Sequence, residues 1–130
     1  MAAFAQALTF FCTRDLSRSE HFYGGTLGLA VAMRTPTAIV WRVNERAFFG
    51  VTAGPGREPR PGAALLDLTV ASAAEVHAWH RRIAADGWTT DGPPRPMPEG
   101  MTGFFATDPD GYLVEIVHFD DPAALARTVA

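Results

Sequence analysis

Phe104-Phe-Ala-Thr-Asp-Pro-Asp-Gly-Tyr-Leu-Val-Glu-Ile-Val-His-Phe119 is the stretch whose reading decides the fold. Asp108-Pro109-Asp110-Gly111 has the chemistry of a type I turn, with Asp at the first corner, Pro fixing φ at the second and Gly closing it. Apolar, strand-like runs flank it, so the stretch predicts a β-hairpin. A strand's period of two puts Leu113, Glu115, Val117 and Phe119 on one face of the outgoing arm, and Tyr112, Val114, Ile116 and His118 on the other. Glu115 is thereby set among apolar neighbours. A carboxylate there requires a cation, a metal or hydrogen-bond donors, unless it lies on an edge strand facing solvent.

Working outward, a strand, a helix and several strands are written twice. Residues 7–13 read as a strand, and Asp15 as the N-cap of a helix with Leu16, Ser19, Phe22, Tyr23 and Leu27 on its inner face, ending near Gly28. Strands are expected at about 29–34, 37–43 and 47–53. Residues 54–62, rich in Pro and Gly, form a linker. The second copy begins with a strand at 63–70. Ser72 and Glu75 make a capping box for a helix with Val76, Trp79 and Ile83 inward and Gly87 at its C-terminal turn. Trp88-Thr-Thr is a short strand candidate, residues 92–100 are a second Pro-rich loop, the hairpin follows, and Asp121-Pro122 caps a terminal helix over about 121–129. The expectation is one α+β domain of two tandem βαβββ modules, about 7–53 and 63–119. Each module is too small for a core of its own, so the two are expected to share one.

Composition narrows the function. The chain has 130 residues, 48% of them hydrophobic, and a net charge of −3. Its Arg residues are scattered, without the basic stripe that nucleic-acid binding needs. No apolar run approaches the ~20 residues of a membrane span, and the start has no basic leader, so a cytoplasmic location is expected with neither nucleic acid nor membrane as partner. Cys12 is the single cysteine and has no internal disulfide partner. With no base near it in sequence, it reads as a small apolar residue rather than a nucleophile.

Three features together resemble the vicinal oxygen chelate superfamily, which groups glyoxalases, bleomycin-resistance proteins and extradiol dioxygenases. They are Thr13-Arg-Asp-Leu16 with Phe22-Tyr23 and Leu27-Gly28-Leu29, the capped second helix ending Ala-Asp-Gly87, and Phe105 to Glu115. The resemblance spans about residues 7–119. It implies two βαβββ modules cupping a cavity, commonly in a homodimer. In metal-binding members a His on the first strand, a His or Gln on the first strand of the second module, a Glu on the last strand and sometimes an acidic residue on the fourth hold the ion. Those positions here are Leu8, Leu65, Glu115 and about Gly50. Only Glu115 matches, and a leucine offers no lone pair for a metal. His21, His77 and His80 lie on helices and His118 has the opposite parity to Glu115, so none replaces the missing ligands. Gln6 and Asp67, each two residues from a replaced position, would with Glu115 make an all-oxygen set for a hard divalent cation.

If Leu8 and Leu65 face the cavity, so do Phe10, Cys12, Asp67, Leu113, Glu115 and Val117. The expected ligand is then a small organic molecule carrying an amine, a guanidinium or other donors for Asp67 and Glu115, held without any cofactor. Trp41 is either a stacking wall or a core anchor beneath the first helix. If Arg42 faces in, it pairs with a carboxylate or takes an anionic ligand. The choices between Phe48 and Phe49, and between Phe104 and Phe105, stay open; Phe49 and Phe105 are the candidates taken. Met97 and Met101 either cover the cavity mouth or belong to an ordinary loop. The competing functions are a metal-dependent lyase, isomerase or dioxygenase built on Glu115, and a structural or partner-binding dimer.

Overall fold

The aromatic run near the N-terminus forms β1 (Ala7–Cys12), and the chain then turns into a helix at Asp15. A computed structural model describes residues 3–98, 100–121 and 123. Two compact units emerge, Met1–Pro61 with Pro109–Gly111, and Gly62–Asp108 with Tyr112–Ala130.

In the first unit, Asp15 Oδ1 accepts from the backbone N–H of Ser17 (2.9 Å) and Arg18 (3.1 Å). This satisfies donors left open at the start of α1 (Leu16–Ser19). The helix then widens into a π-helical segment, Glu20–Thr26, with Leu27 N–H donating to Phe22 O at 2.9 Å. Across both segments Ser19, Phe22, Tyr23, Thr26 and Leu27 are buried. Strands β2 (Ala30–Thr35), β3 (Ala38–Arg42) and β4 (Ala47–Thr52) complete a sheet in the order β1-β4-β3-β2, with β1 parallel to β4. Tyr23 lies 5.2 Å from Trp41 and 4.8 Å from Phe49, ring centre to ring centre, and this aromatic cluster is the unit's core. The Trp41 indole nitrogen is buried there without a hydrogen-bond partner. A side chain at Gly24 would come within 3.3 Å of it.

The second unit repeats the order. Between β5 (Leu65–Thr69) and β6 (Arg95–Met97) runs α2 (Ala73–Ala85), followed by β7 (Met101–Thr107) and β8 (Leu113–Phe119). The strands lie β5-β8-β7-β6, with β5 parallel to β8. Ser72 Oγ accepts from Glu75 N–H, as expected of a capping box. The Glu75 carboxylate reaches one residue further back than usual, to Ala71 N–H at 2.8 Å. Val76 and Ile83 of α2 are fully buried, while Trp79 is half exposed. Gly87 takes φ +87°, as a helix-ending glycine should.

The deciding hairpin forms one residue wider than a four-residue type I turn. Asp108 N–H donates to Tyr112 O at 2.8 Å, and Tyr112 N–H to Asp108 Oδ1 at 2.9 Å, so Pro109, Asp110 and Gly111 form a three-residue loop with Gly111 at φ +95°. That loop groups with the first unit. Asp110 Oδ2 accepts from Thr13 Oγ1 at 2.6 Å and Oδ1 from Arg14 N–H at 3.0 Å, while Thr13 Oγ1 also lies 2.8 Å from Ser19 Oγ.

Four expectations change. The second Pro-rich segment contains β6, because Pro96 sits on an edge strand where its missing N–H breaks no ladder. Trp88-Thr-Thr makes only one bridge, Thr90 to Ala106. The first helix is mostly π-helical rather than α-helical. Trp41 and Phe49 belong to the core under that helix, at 0% and 1% exposure. Most of the expected terminal helix at 121–129 lies outside the described residues. Among the described residues, no helix is long and apolar enough to cross a membrane.

Removing the Asp110 carboxylate takes away its hydrogen bonds from the buried Thr13 hydroxyl and from Arg14 N–H. Asp110→Ala is expected to lose roughly 1–3 kcal/mol of stability in denaturant unfolding. An unchanged midpoint would show that the loop contributes nothing to the first unit.

Candidate ligand site

Each sheet presents one face to its helix and one face that no described helix of its unit covers. In the first unit the register pairs Leu8 with Phe48, Phe10 with Gly50 and Cys12 with Thr52 on the uncovered face, and Arg42 lies beside Phe48. Leu8 and Phe10 are 45% and 42% exposed. The Phe10 ring lies over Gly50, so close that a Cβ there would fall 2.7 Å from it. The Arg42 guanidinium stacks 4.9 Å from the centre of the Phe48 ring, a cation–π contact. Phe48, not Phe49, is thus the aromatic on this face.

On the second sheet the same positions are filled differently. Asp67 on β5 is the direct partner of Glu115 on β8, and Phe105 on β7 is the partner of Glu115 from the other side. The period of two gives these three residues one face, along with Leu65, Leu113 and Val117. Asp67 is exposed and Phe105 half-buried, whereas Glu115 retains only 7% exposure. Phe104, of opposite parity, is fully buried beneath α2 with its ring 5.1 Å from His80.

Two further residues complete the surroundings. Arg95 on β6 makes a two-pronged ion pair with Asp91, Nη1 to Oδ1 at 3.2 Å and Nη2 to Oδ2 at 2.6 Å. Asp91 Oδ1 also accepts from Phe105 N–H at 2.9 Å, so the pair is fastened to β7. Met97 Sδ lies 3.1 Å from where a Cβ would stand on Gly103, so this glycine leaves the space the thioether fills.

Electrostatics single out Glu115. Burial, then a hydrogen bond to the Asp67 side chain and the negative charge of Asp67, push its carboxyl up to about 7; Arg95 opposes the rise and Asp91 adds slightly to it. Half-dry and beside a second carboxyl, the Glu115 side chain thus keeps its proton to near neutral pH. Arg95 in turn holds Asp91 below the ordinary carboxylate range, chiefly through their hydrogen bonds.

Of the residues expected at the site, Asp67, Phe105 and Glu115 come together on one sheet. Phe10, Cys12 and Arg42 share the uncovered face of the other sheet, and Trp41 and Phe49 are on neither. Gln6 belongs to the first unit and is exposed, so of the oxygen trio only Asp67 and Glu115 are neighbours within one unit. His118 instead sits with Nδ1 3.0 Å from Val70 O. Asp91 and Arg95 escaped the sequence reading. An Asp and an Arg four apart around two prolines were a visible signal, masked by the reading of that segment as loop.

A glyoxalase-type metal does not fit these residues. Leu8 and Leu65 stand 45% and 52% exposed with no donor atom, Gly50 is covered by a phenyl ring, and the Glu115 carboxyl is bonded to another carboxyl. Among the described residues, no three His, Cys, Asp or Glu side chains gather as metal ligands would.

Two four-stranded sheets of identical topology, each closed by a parallel first and last strand, define a tandem βαβββ protein. The chain belongs to the Glyoxalase/Bleomycin resistance protein/Dioxygenase superfamily, whose profile it matches over residues 5–116. Among similar solved structures is a glyoxalase-related enzyme from Fulvimarina pelagi, 27% identical, with a TM-score of 0.75 and 88% of each chain covered. A glyoxalase/bleomycin resistance protein/dioxygenase from Nocardioides is 18% identical, also at 0.75, covering 94% of this chain and 87% of its own. A lactoylglutathione lyase from Agrobacterium tumefaciens is 19% identical at 0.74, covering 91% and 95%. No curated protein matches the chain.

The raised Glu115 carboxyl makes stability depend on pH. Its ordinary value is 4.5, so between about 4.5 and 7 the folded protein holds a proton that the unfolded chain has released. Stability contributed by the protonated pair is complete below 4.5 and is lost as pH rises through about 7. The gap sets an upper limit of about 3 kcal/mol. Glu115→Gln, which cannot ionise, is expected to match the parent protein at acidic pH and exceed its melting temperature above neutrality. A stability difference that stays flat with pH would contradict the assignment.

Proposed function

We propose that the protein binds a small organic cation on the uncovered face of its second sheet, and that it does so without a metal. The observation that carries this reading is the in-register pairing of Asp67 with Glu115, next to Phe105 and the exposed apolar side chains of Leu65 (52%) and Leu113 (40%). An amidinium or ammonium group meets the two carboxyls, which give up their shared proton to receive it. The ligand's apolar body lies on Phe105 and the leucines, where a cation next to an aromatic face gains further attraction. The protein acts by holding the molecule. The family's breadth of chemistry on one scaffold supports binding and catalysis alike, but the two leucines at ligand positions favour binding.

Benzamidine is a suitable probe because it stays charged across the relevant pH range. Calorimetry is expected to show benzamidine bound in preference to benzoate, with affinity rising as pH increases through about 7, where Glu115 ionises. Glu115→Gln is expected to weaken binding about tenfold or more, the scale of one lost charge-assisted hydrogen bond. Preference for benzoate, or an affinity indifferent to both pH and Glu115→Gln, would overturn the reading.

A further inference from the structure

Arg95 is the feature of this face that cation binding leaves unused. It stands on the edge strand β6, opposite Gly103, and the period of two places Gly103 on the same face as Phe105 and thus Glu115. Its guanidinium acts on the Glu115 carboxyl, so the two heads are within each other's field. Asp91 occupies one N–H on each terminal nitrogen, and a guanidinium carries five N–H groups in a fixed fork. Among the described residues, three donors therefore remain for another acceptor. Because Asp91 is itself bonded to Phe105 N–H, the fork is held in orientation rather than swinging on its stem.

We propose that Arg95 is a specificity-determining residue that receives a carboxylate on the same ligand whose cationic group meets Asp67 and Glu115, so that the site selects small zwitterions, of the amino-acid type, over simple amines. The inference rests on the cation-binding reading above and adds a second pole to it. Opposite charges, carried by two long side chains, stand on one sheet face, as a ligand with both an ammonium and a carboxylate requires. Asp91 acts as a positioning residue: it aims Arg95 and, being negative, moderates its pull on the ligand.

The test compares phenylalanine, as both enantiomers, with phenethylamine, which differs only in lacking the carboxylate. Calorimetry above neutral pH, with Glu115 ionised, is expected to show at least one enantiomer binding about tenfold more tightly than the amine, the gain of one charge-assisted contact. Arg95→Gln is expected to erase that preference, so that phenylalanine binds no more tightly than the amine measured on the same variant. Asp91→Asn keeps an oxygen for Phe105 N–H and removes the competing charge, so it is expected to keep or enlarge the preference. Equal binding of amine and zwitterion, or a preference that survives Arg95→Gln, would overturn the inference and leave cation binding standing. Failure of both probes to bind would remove the cation-binding reading and this inference with it.

Discussion

Parallel pairing of the first and last strands is the constraint on which the rest depends. Two parallel strands cannot be joined by a tight turn, so each module must send its chain across one face of its sheet as a helix before the remaining strands can add on. That crossover is why β1 is followed by α1 and its π-helical extension, and β5 by α2. It is also why each sheet has one face sealed by a helix and one left for other use. The same pairing puts residues of the outer and inner strand side by side in register, Phe10 with Gly50 in the first unit and Asp67 with Glu115 in the second. A duplicated backbone thus carries two unlike contents at one position: a ring laid over a glycine, and two carboxyls sharing a proton.

The carboxyl pair runs against the economy of folding. An ionised carboxylate at 7% exposure loses most of its hydration, and a second carboxyl beside it adds repulsion. The fold tolerates this by keeping a proton in the pair near neutrality and by placing the Asp91–Arg95 ion pair close by. Hydrophobic residues at Asp67 and Glu115 would serve the sheet better, as Phe10 and Gly50 serve the other. Groups retained at a cost to stability mark places where a structure serves something other than its own folding.

Much of this was legible in the chain. Turn chemistry at Asp108–Gly111, the capping residues Asp15 and Ser72, and strand alternation around Glu115 are local signals, and the elements they announce are present. Alternation in the sequence left Phe104 and Phe105 undecided; in the structure it is Phe105 that pairs with Glu115 and Phe104 that is buried beneath α2. Trp41 and Phe49 show where local signals end. Consecutive residues Ile39, Val40 and Trp41 all lie at 3% exposure or less, and Phe48 and Phe49 are both aromatic, so alternation in composition vanishes and parity cannot be read. The π-helical widening after Ser19 is set by how Phe22, Tyr23 and Leu27 pack on the sheet, which no spacing rule encodes. Arg95 was hidden because proline density spoke for loop, while a three-residue edge strand needs few of the N–H groups that proline lacks.

The central claim is that Asp67 and Glu115 act as one proton-sharing pair. Its most direct test is a carbon-detected NMR titration of the Glu115 side-chain carboxyl in the intact protein, with Asp67→Asn as the companion. A midpoint near 7 that falls when Asp67 is replaced is the predicted result. A midpoint near the ordinary 4.5, unmoved by that replacement, would show that Glu115 is an isolated carboxylate, and the site as described here would not exist.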